Sequence, residues 1–281
     1  MEPPSDPFRT QLGQRTLFSY REEQLRNSAL DLTYYLAPWD KPIFRGNTAA
    51  ISSILVRVEA AAARAFKAFR DWCACNEVVL VSCRLDHVQL AECSFLEAQG
   101  FRFIELNYRP TLVGLEGFFG DTEISICPAV ASDEAEISGF AAQIFETGRF
   151  HVDPQVGPEI GNRRYAAWAA NAFHNPRQYV LKCLMGGRII AFFVVEQPTH
   201  SSRFWSLVGL APGQAGKGLG KRVWHAMLAF HHREGVEEVC TSISSHNAAA
   251  HNLYVSLGFR FPAPTITLHW CPFGPVKSPA P

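Results

Sequence analysis

The sequence lacks a charge excess of either sign, a long apolar run and any zinc-type cysteine pairing. Its 281 residues hold 26 basic and 26 acidic side chains, so no basic field grips a phosphate backbone, and nucleic acid is not an expected partner. No stretch approaches the roughly 18 apolar residues of a membrane span, and no membrane partner is expected. Met1 to Thr10 is polar and proline-rich, without the basic-then-apolar order of a signal peptide, so a cytoplasmic chain is expected. Eight cysteines are scattered, and the nearest pair, Cys73 and Cys75, is spaced C-x-C. Structural zinc sites separate such pairs by about two to four residues, and disulfide frameworks belong to smaller, loop-rich chains. Cys73, Cys75, Cys83 and Cys93, with His87 among them, therefore read as reduced core thiols, and no metal is expected.

What is present is an alternation of helical and strand patterns, in a chain long enough for two domains. Ile51, Leu55, Val58, Ala62, Ala65, Phe69 and Trp72 recur at three- and four-residue steps and predict one helix from Ile51 to about Cys75. A buried strand at Glu77–Cys83, a helix over Leu85–Gln99 stopped by Gly100, and a strand at Phe101–Tyr108 follow. Pro110–Gly120 is glycine-rich and without helical period, which sets a domain boundary there.

Beyond it a strand is predicted at Thr122–Cys127, and Ser132 with Asp133, Glu134 and Glu136 opens a helix running to about Phe145. A helix over Glu159–Phe173 precedes a hairpin, Gln178–Leu184 and Arg188–Glu196, turned at Met185-Gly186-Gly187. A strand at Phe204–Leu210 enters a glycine-rich loop and then a helix ending at Gly235. A strand at Val236–Ile243, a helix at Asn247–Ser256 and last strands within Phe259–Trp270 complete the pattern, and Cys271–Pro281 reads as a frayed tail.

These halves repeat. Phe95-Leu-Glu-Ala-Gln-Gly-Phe-Arg-Phe103 matches Leu253-Tyr-Val-Ser-Leu-Gly-Phe-Arg-Phe261 at an offset of 158 residues. The same offset lays Val58–Ala62 on Gly216–Gly220 and Leu96 on Tyr254. The first half keeps the shape and lacks these chemical features.

Gly216-Lys-Gly-Leu-Gly220 between a strand and a helix lets the backbone turn tightly and point successive N–H groups into one concavity, beside the positive end of the helix dipole. A pyrophosphate suits it, with Lys217 and Lys221 at the rim. A nucleoside-triphosphate loop is excluded because Gly218, not Ser or Thr, follows Lys217. The dinucleotide fingerprint fails because its third glycine comes one residue early, although Glu237 and Glu238 stand near the distance of its acidic residue.

Together with Leu210-Ala-Pro212, Gln214-Ala-Gly216-Lys-Gly218-Leu-Gly220 and Asn247-Ala-Ala-Ala250-His-Asn-Leu253-Tyr254-Val-Ser-Leu-Gly258-Phe259, the region 122–270 resembles the GCN5-related N-acetyltransferase superfamily. The resemblance implies acetyl-coenzyme A as co-substrate. It implies coenzyme contacts from Val208, Leu210, Ala215, Gly216, Lys217, Gly218, Leu219, Gly220, Lys221 and Asn247. Tyr254 becomes the general acid at the departing sulfur: a phenol with a pKa near about 10 supplies a proton to a thiolate in a dry site. Plainer roles fit the same residues, Tyr254 as core and Asn247 as a helix N-cap. The family usually has Arg or Gln where Ala215 stands, which implies weaker coenzyme binding, not none.

The base is less legible. Phe204–Val208 carries no carboxylate, and Glu196 on the adjacent strand is the nearest candidate, with a solvated strand-end carboxylate or a water chain as alternatives. Gly148-Arg149-Phe150-His151, then Arg163-Arg-Tyr-Ala-Ala-Trp168, behind a degenerate first half, resembles the TDP-fucosamine (TDP-4-amino-4,6-dideoxygalactose) acetyltransferase group, with Gly148 in place of its Ser. By that resemblance Arg149, Arg164, Tyr165 and Trp168 line the acceptor side and suit a nucleotide diphosphate; an amphipathic helix with an aromatic core face fits them equally.

The expectation is thus an α/β (α+β) fold of two tandem modules, mixed, mostly antiparallel sheets with helices on both faces. Residues 1–115 form a degenerate domain, 120–272 an N-acetyltransferase domain and 273–281 a flexible tail. The acceptor expected is a small-molecule amine, on a nucleotide sugar or another metabolite or drug, or else a protein N-terminus; a coenzyme A-binding regulatory module without turnover is the rival. A homodimer is an allowed assembly.

Overall fold

In the computed structural model, which describes residues 18–276, the chain builds two mixed sheets. β1 (Glu22–Arg26), β2 (Leu30–Leu36) and β3 (Asn47–Val56) form an antiparallel meander, with the short α1 (Lys41–Phe44) before β3. α2 (Glu59–Cys75) crosses over so that β4 (Val78–Asp86) runs parallel to β3, and α3 (Leu90–Ala98) leads to β5 (Arg102–Tyr108).

The order then recurs. After β6 (Thr111–Val113), β7 (Ser125–Pro128) precedes three helices: α4 (Glu134–Ile144), α5 (Arg149–Val152) and α6 (Pro158–Ala172). β8 (Gln178–Met185), β9 (Arg188–Thr199) and β10 (Ser202–Leu210) extend an antiparallel meander. Its β8–β9 turn uses Gly186 and Gly187 at φ of 56° and 75°. α7 (Leu219–Arg233) crosses to β11 (Glu238–Thr241), parallel to β10, and β12 (Ile243–Ser244), α8 (Ala248–Ser256) and β13 (Thr265–Trp270) follow.

The last strands are exchanged. β13 enters the first sheet between β4 and β5, antiparallel to both, while β6 pairs with β11 in the second sheet and Thr111 bridges Arg260. The strand orders are therefore β1-β2-β3-β4-β13-β5-β12 and β6-β11-β10-β9-β8-β7. The expected α/β class with two tandem modules is what the chain adopts. Its division near 115–120 we keep as a proposal, with β12 and β13 lent to the first sheet and β6 to the second.

α2 and α3 cover one face of the first sheet through Phe66, Phe69 and Phe95. α7 and α8 cover one face of the second sheet through Val223, Met227 and Tyr254, and α4 and α6 the other through Ile137, Ala141 and Ala169. The far end of α6 meets the first sheet, where Ile160 packs with Phe44, Leu80 and Phe150. That face of the first sheet is otherwise polar: Glu105, Asn107, Thr267 and His269 are buried on it, with Arg84 opposite Thr267 in register.

Several expected boundaries move. Ile51–Val56 is strand, not helix. β3 carries an extra residue at Ser52, because Thr33 pairs with Ser53 and Tyr34 with Ile51. This bulge turns a two-residue alternation into the three-residue step Ile51–Ile54, which imitates a helical face. Leu85 lies in β4, and α3 begins only at Leu90. In the predicted frayed tail, Cys271 is buried and Val276 N–H donates to Gln155 O at 2.7 Å. Met1–Thr10 and residues 277–281 lie outside the described residues. Cys73 and Cys83 are core thiols, but Cys75 is exposed. Among the described residues no helix is long and apolar enough to cross a membrane.

Candidate active site

β10 and β11 pair only as far as Trp205 and Thr241. Beyond that point β10 bulges at Ser206 and continues to Leu210 beside β9 alone, while the chain after β11 turns away to pair β12 with β5 of the first sheet. The diverging strands open a cavity of about 850 Å³ whose walls come from both halves. Parallel strands pulled apart leave main-chain donors and acceptors of the 206–210 segment without a sheet partner on that side, available to a ligand.

The glycine loop closes one end. Gly213, Gly216 and Gly218 have φ of 73°, 79° and 73°, the left-handed region, and a Cβ on any of them would face open space. Gly218 is the N-cap of α7, so the free N–H groups of the first turn face the loop. Val208, Leu210, Ala215, Gly216, Gly218, Gly220 and Lys221 line the cavity. Lys217 is exposed beside it, and Leu219 is buried beneath it in the core.

Tyr254 on α8 is 1% exposed, and its hydroxyl reaches the cavity without a hydrogen-bond partner, as does the nearby Trp224 indole N–H. Burial raises the phenol's pKa, so the hydroxyl keeps its proton at neutral pH. Asn247 caps α8, its Oδ1 accepting from Ala250 N–H at 2.9 Å, and the residue also borders the cavity.

Glu196 is not a solvated strand-end carboxylate. β9 runs on to Thr199, and Glu196 is 5% exposed, facing the cavity opposite Gln178 and Phe204. Gln178 Nε2 donates to Glu196 Oε1 at 2.7 Å and lies 3.3 Å from Ser206 Oγ at the bulge.

The acceptor-side residues named from sequence converge here too. Tyr165 stacks between Phe145 and Trp168, at centroid distances of 4.4 and 6.1 Å. A Cβ on Gly148 would come within 2.3 Å of the Tyr165 hydroxyl oxygen, so glycine is what admits that ring. Arg164 is tied down: its Nε donates to Asp40 at 3.0 Å, with its guanidinium 4.9 Å from the Phe150 ring. The Arg149 guanidinium stands 4.6 Å from the Phe150 ring centroid, and the residue borders the cavity.

Residues 149–259 match the model of the acetyltransferase (GNAT) family. That stretch, under half of the chain, is similar to this family. No curated protein matches the chain. Among solved structures, a GCN5-related N-acetyltransferase from Sphaerobacter thermophilus superposes with a TM-score of 0.60 at 12% identity, over 88% of this chain and 81% of that one. A tandem GNAT protein from the clavulanic acid biosynthesis pathway gives 0.57 at 12%, over 93% and 85%. A GCN5-related N-acetyltransferase from Kribbella flavida gives 0.56 at 15%, over 92% and 90%. At these identities the likeness is one of fold.

The first half has the corresponding opening and fills it. β3 and β4 pair only to Ile51 and Cys83, and there Gln89 Nε2 donates to Ile54 O at 3.4 Å while its Oε1 accepts from Asp86 N–H at 3.0 Å. Glu92 Oε1 accepts from Val56 N–H at 3.3 Å. Side chains thus satisfy the strand edge that the second half leaves open.

Sequence reasoning missed Gln178, Ser206, Arg84, Glu105 and Asn107, all of which line the cavity. A signal existed for two: Arg84 and Glu105 are charges set inside apolar strand patterns, and buried charges in strands call for a partner.

Proposed function

We propose that the GNAT domain transfers the acetyl group of acetyl-coenzyme A to a primary amine. The carrying observation is the junction, in one cavity, of an unpaired strand edge, a glycine cradle and an unpartnered buried tyrosine hydroxyl. The cradle N–H groups and the α7 N-terminus suit the coenzyme pyrophosphate, with Lys217 and Lys221 at its rim. The edge of β10 at Val208 and Leu210 offers main-chain groups to the pantetheine arm, and Asn247 borders it.

The bound thioester supplies an acyl carbon open to attack. As the amine nitrogen forms its bond to that carbon and the C–S bond breaks, Glu196 takes the ammonium proton, directly or through water, and Tyr254 gives its proton to the departing sulfur. Gln178 fixes the Glu196 carboxylate for this role. Arg149, Arg164, Tyr165 and Trp168 form the acceptor side, and a nucleotide-linked amino sugar is the acceptor we favour, on the resemblance of 148–168 to the TDP-fucosamine group.

The test is thiol release from acetyl-coenzyme A across nucleotide amino sugars, simple amines and peptides. Turnover on one class, lowered in Tyr254→Phe, is the expected result. Tight coenzyme binding with no turnover on any amine would instead favour a regulatory binding module.

A further inference from the structure

The first half's contribution to the cavity is a charged wall. Arg84 projects from β4 and Glu105 from β5, on the polar face that β13 completes at Thr267. Arg84 lies 3.8 Å from Glu105, too far for a hydrogen bond, and Arg84 Nε and Glu105 Oε2 are each buried without a hydrogen-bond partner. Arg149 of α5 faces the same space, stacked on Phe150. Burial, then the neighbouring charges of Arg84 and Arg164, push its pKa down to about 9. Asp40 already engages Arg164. Two guanidinium groups, Arg84 with 26% of its side chain exposed and Arg149 half-buried, thus share a wall that offers them one distant carboxylate, and like charges partly withdrawn from water cost stability unless an anion joins them.

We propose that the acceptor amine carries an anionic group, phosphate or carboxylate, and that Arg84 of the first half and Arg149 of the second bind it jointly. The planar donor forks of arginine match either oxyanion. The degenerate half then acts as the specificity wall of the active half, with its own coenzyme opening filled by Gln89 and Glu92. The inference rests on the acetyltransferase reading for the word acceptor, but the anion site itself is measurable without turnover.

The experiment is calorimetric titration of the full chain saturated with coenzyme A, using matched amines with and without an anion: glucosamine 6-phosphate against glucosamine, and ornithine against putrescine. The anionic member of at least one pair is expected to bind about tenfold more tightly, a difference of about 1.4 kcal/mol. The pair that responds tells phosphate from carboxylate. Arg84→Gln and, separately, Arg149→Gln should erase the preference and leave coenzyme A affinity unchanged. Equal binding within both pairs, or a preference that survives both substitutions, overturns the proposal. If coenzyme A itself fails to bind, the acetyltransferase reading falls, and the anion preference is judged in coenzyme-free protein by the same criterion.

Discussion

The amide of Gln178 holds Glu196 by a 2.7 Å hydrogen bond across β8 and β9, beside the bulge at Ser206 where β10 leaves β11. A carboxylate buried at the mouth of a strand opening and oriented by the Gln178 amide is placed to receive a proton. Glu196→Gln is expected to lower kcat/KM by about 10²–10⁴ and to flatten the acidic limb of its pH profile, with coenzyme A affinity intact. Steady-state kinetics over a pH series checks this; an unaltered limb would assign the base to another group or to water.

Tyr254→Phe separates chemistry from packing. The hydroxyl is buried without a hydrogen bond, so removing it relieves an unmet desolvation cost of about 1–3 kcal/mol at most. Denaturant melts should show the variant as stable as the parent or more so, while thiol release slows at least about tenfold. Lost stability with a normal rate would make Tyr254 a core residue only.

The glycine loop and its spacing to Asn247 and Tyr254 were legible in sequence because a backbone at left-handed positions demands glycine. The wall that the first half lends to the cavity was not. Arg84 and Glu105 come together on one face because β13, about 160 to 180 residues further along the chain, inserts between their strands, and such pairing leaves no local signature. For Glu196 the solvated strand-end alternative arose because the predicted strand stopped at it, whereas β9 continues to Thr199. β3 was misread because the bulge at Ser52 shifts the burial period.

Asp40 and Arg164 form an ion pair at 3.0 Å, 8% and 5% exposed, that ties the first half to α6. Asp40→Ala should destabilise the fold by about 3–5 kcal/mol, since a buried guanidinium loses its carboxylate. Asp40→Leu combined with Arg164→Met should recover much of that loss. Urea melts of the single and double variants measure the difference.

Ala215 is exposed at the cradle, with room for a longer side chain. Ala215→Arg, which installs the residue type usual in the resembling family, should tighten coenzyme A binding several-fold, about 1 kcal/mol for one added charge-assisted contact. Calorimetry decides. No gain would mean that backbone donors already saturate the pyrophosphate.

His231 gives the fold an acid sensitivity of its own. The imidazole is fully buried, and its Nε2 accepts from Trp205 Nε1–H at 3.1 Å, which requires the neutral ring. Burial pushes its pKa down from 6.5 to about 3. Below pH 6.5 the unfolded chain therefore takes up a proton that the folded chain refuses, and stability declines as pH falls through the window from 6.5 towards 3. Between about pH 7 and pH 5 one such group accounts for roughly 2 kcal/mol. His269, pushed down to about 4 by burial, acts with the same sign. His231→Gln, whose amide oxygen can still accept from Trp205, should be less dependent on pH than the parent. Urea midpoints at the two pH values test it, and identical slopes in parent and variant would show that His231 is not the sensitive group.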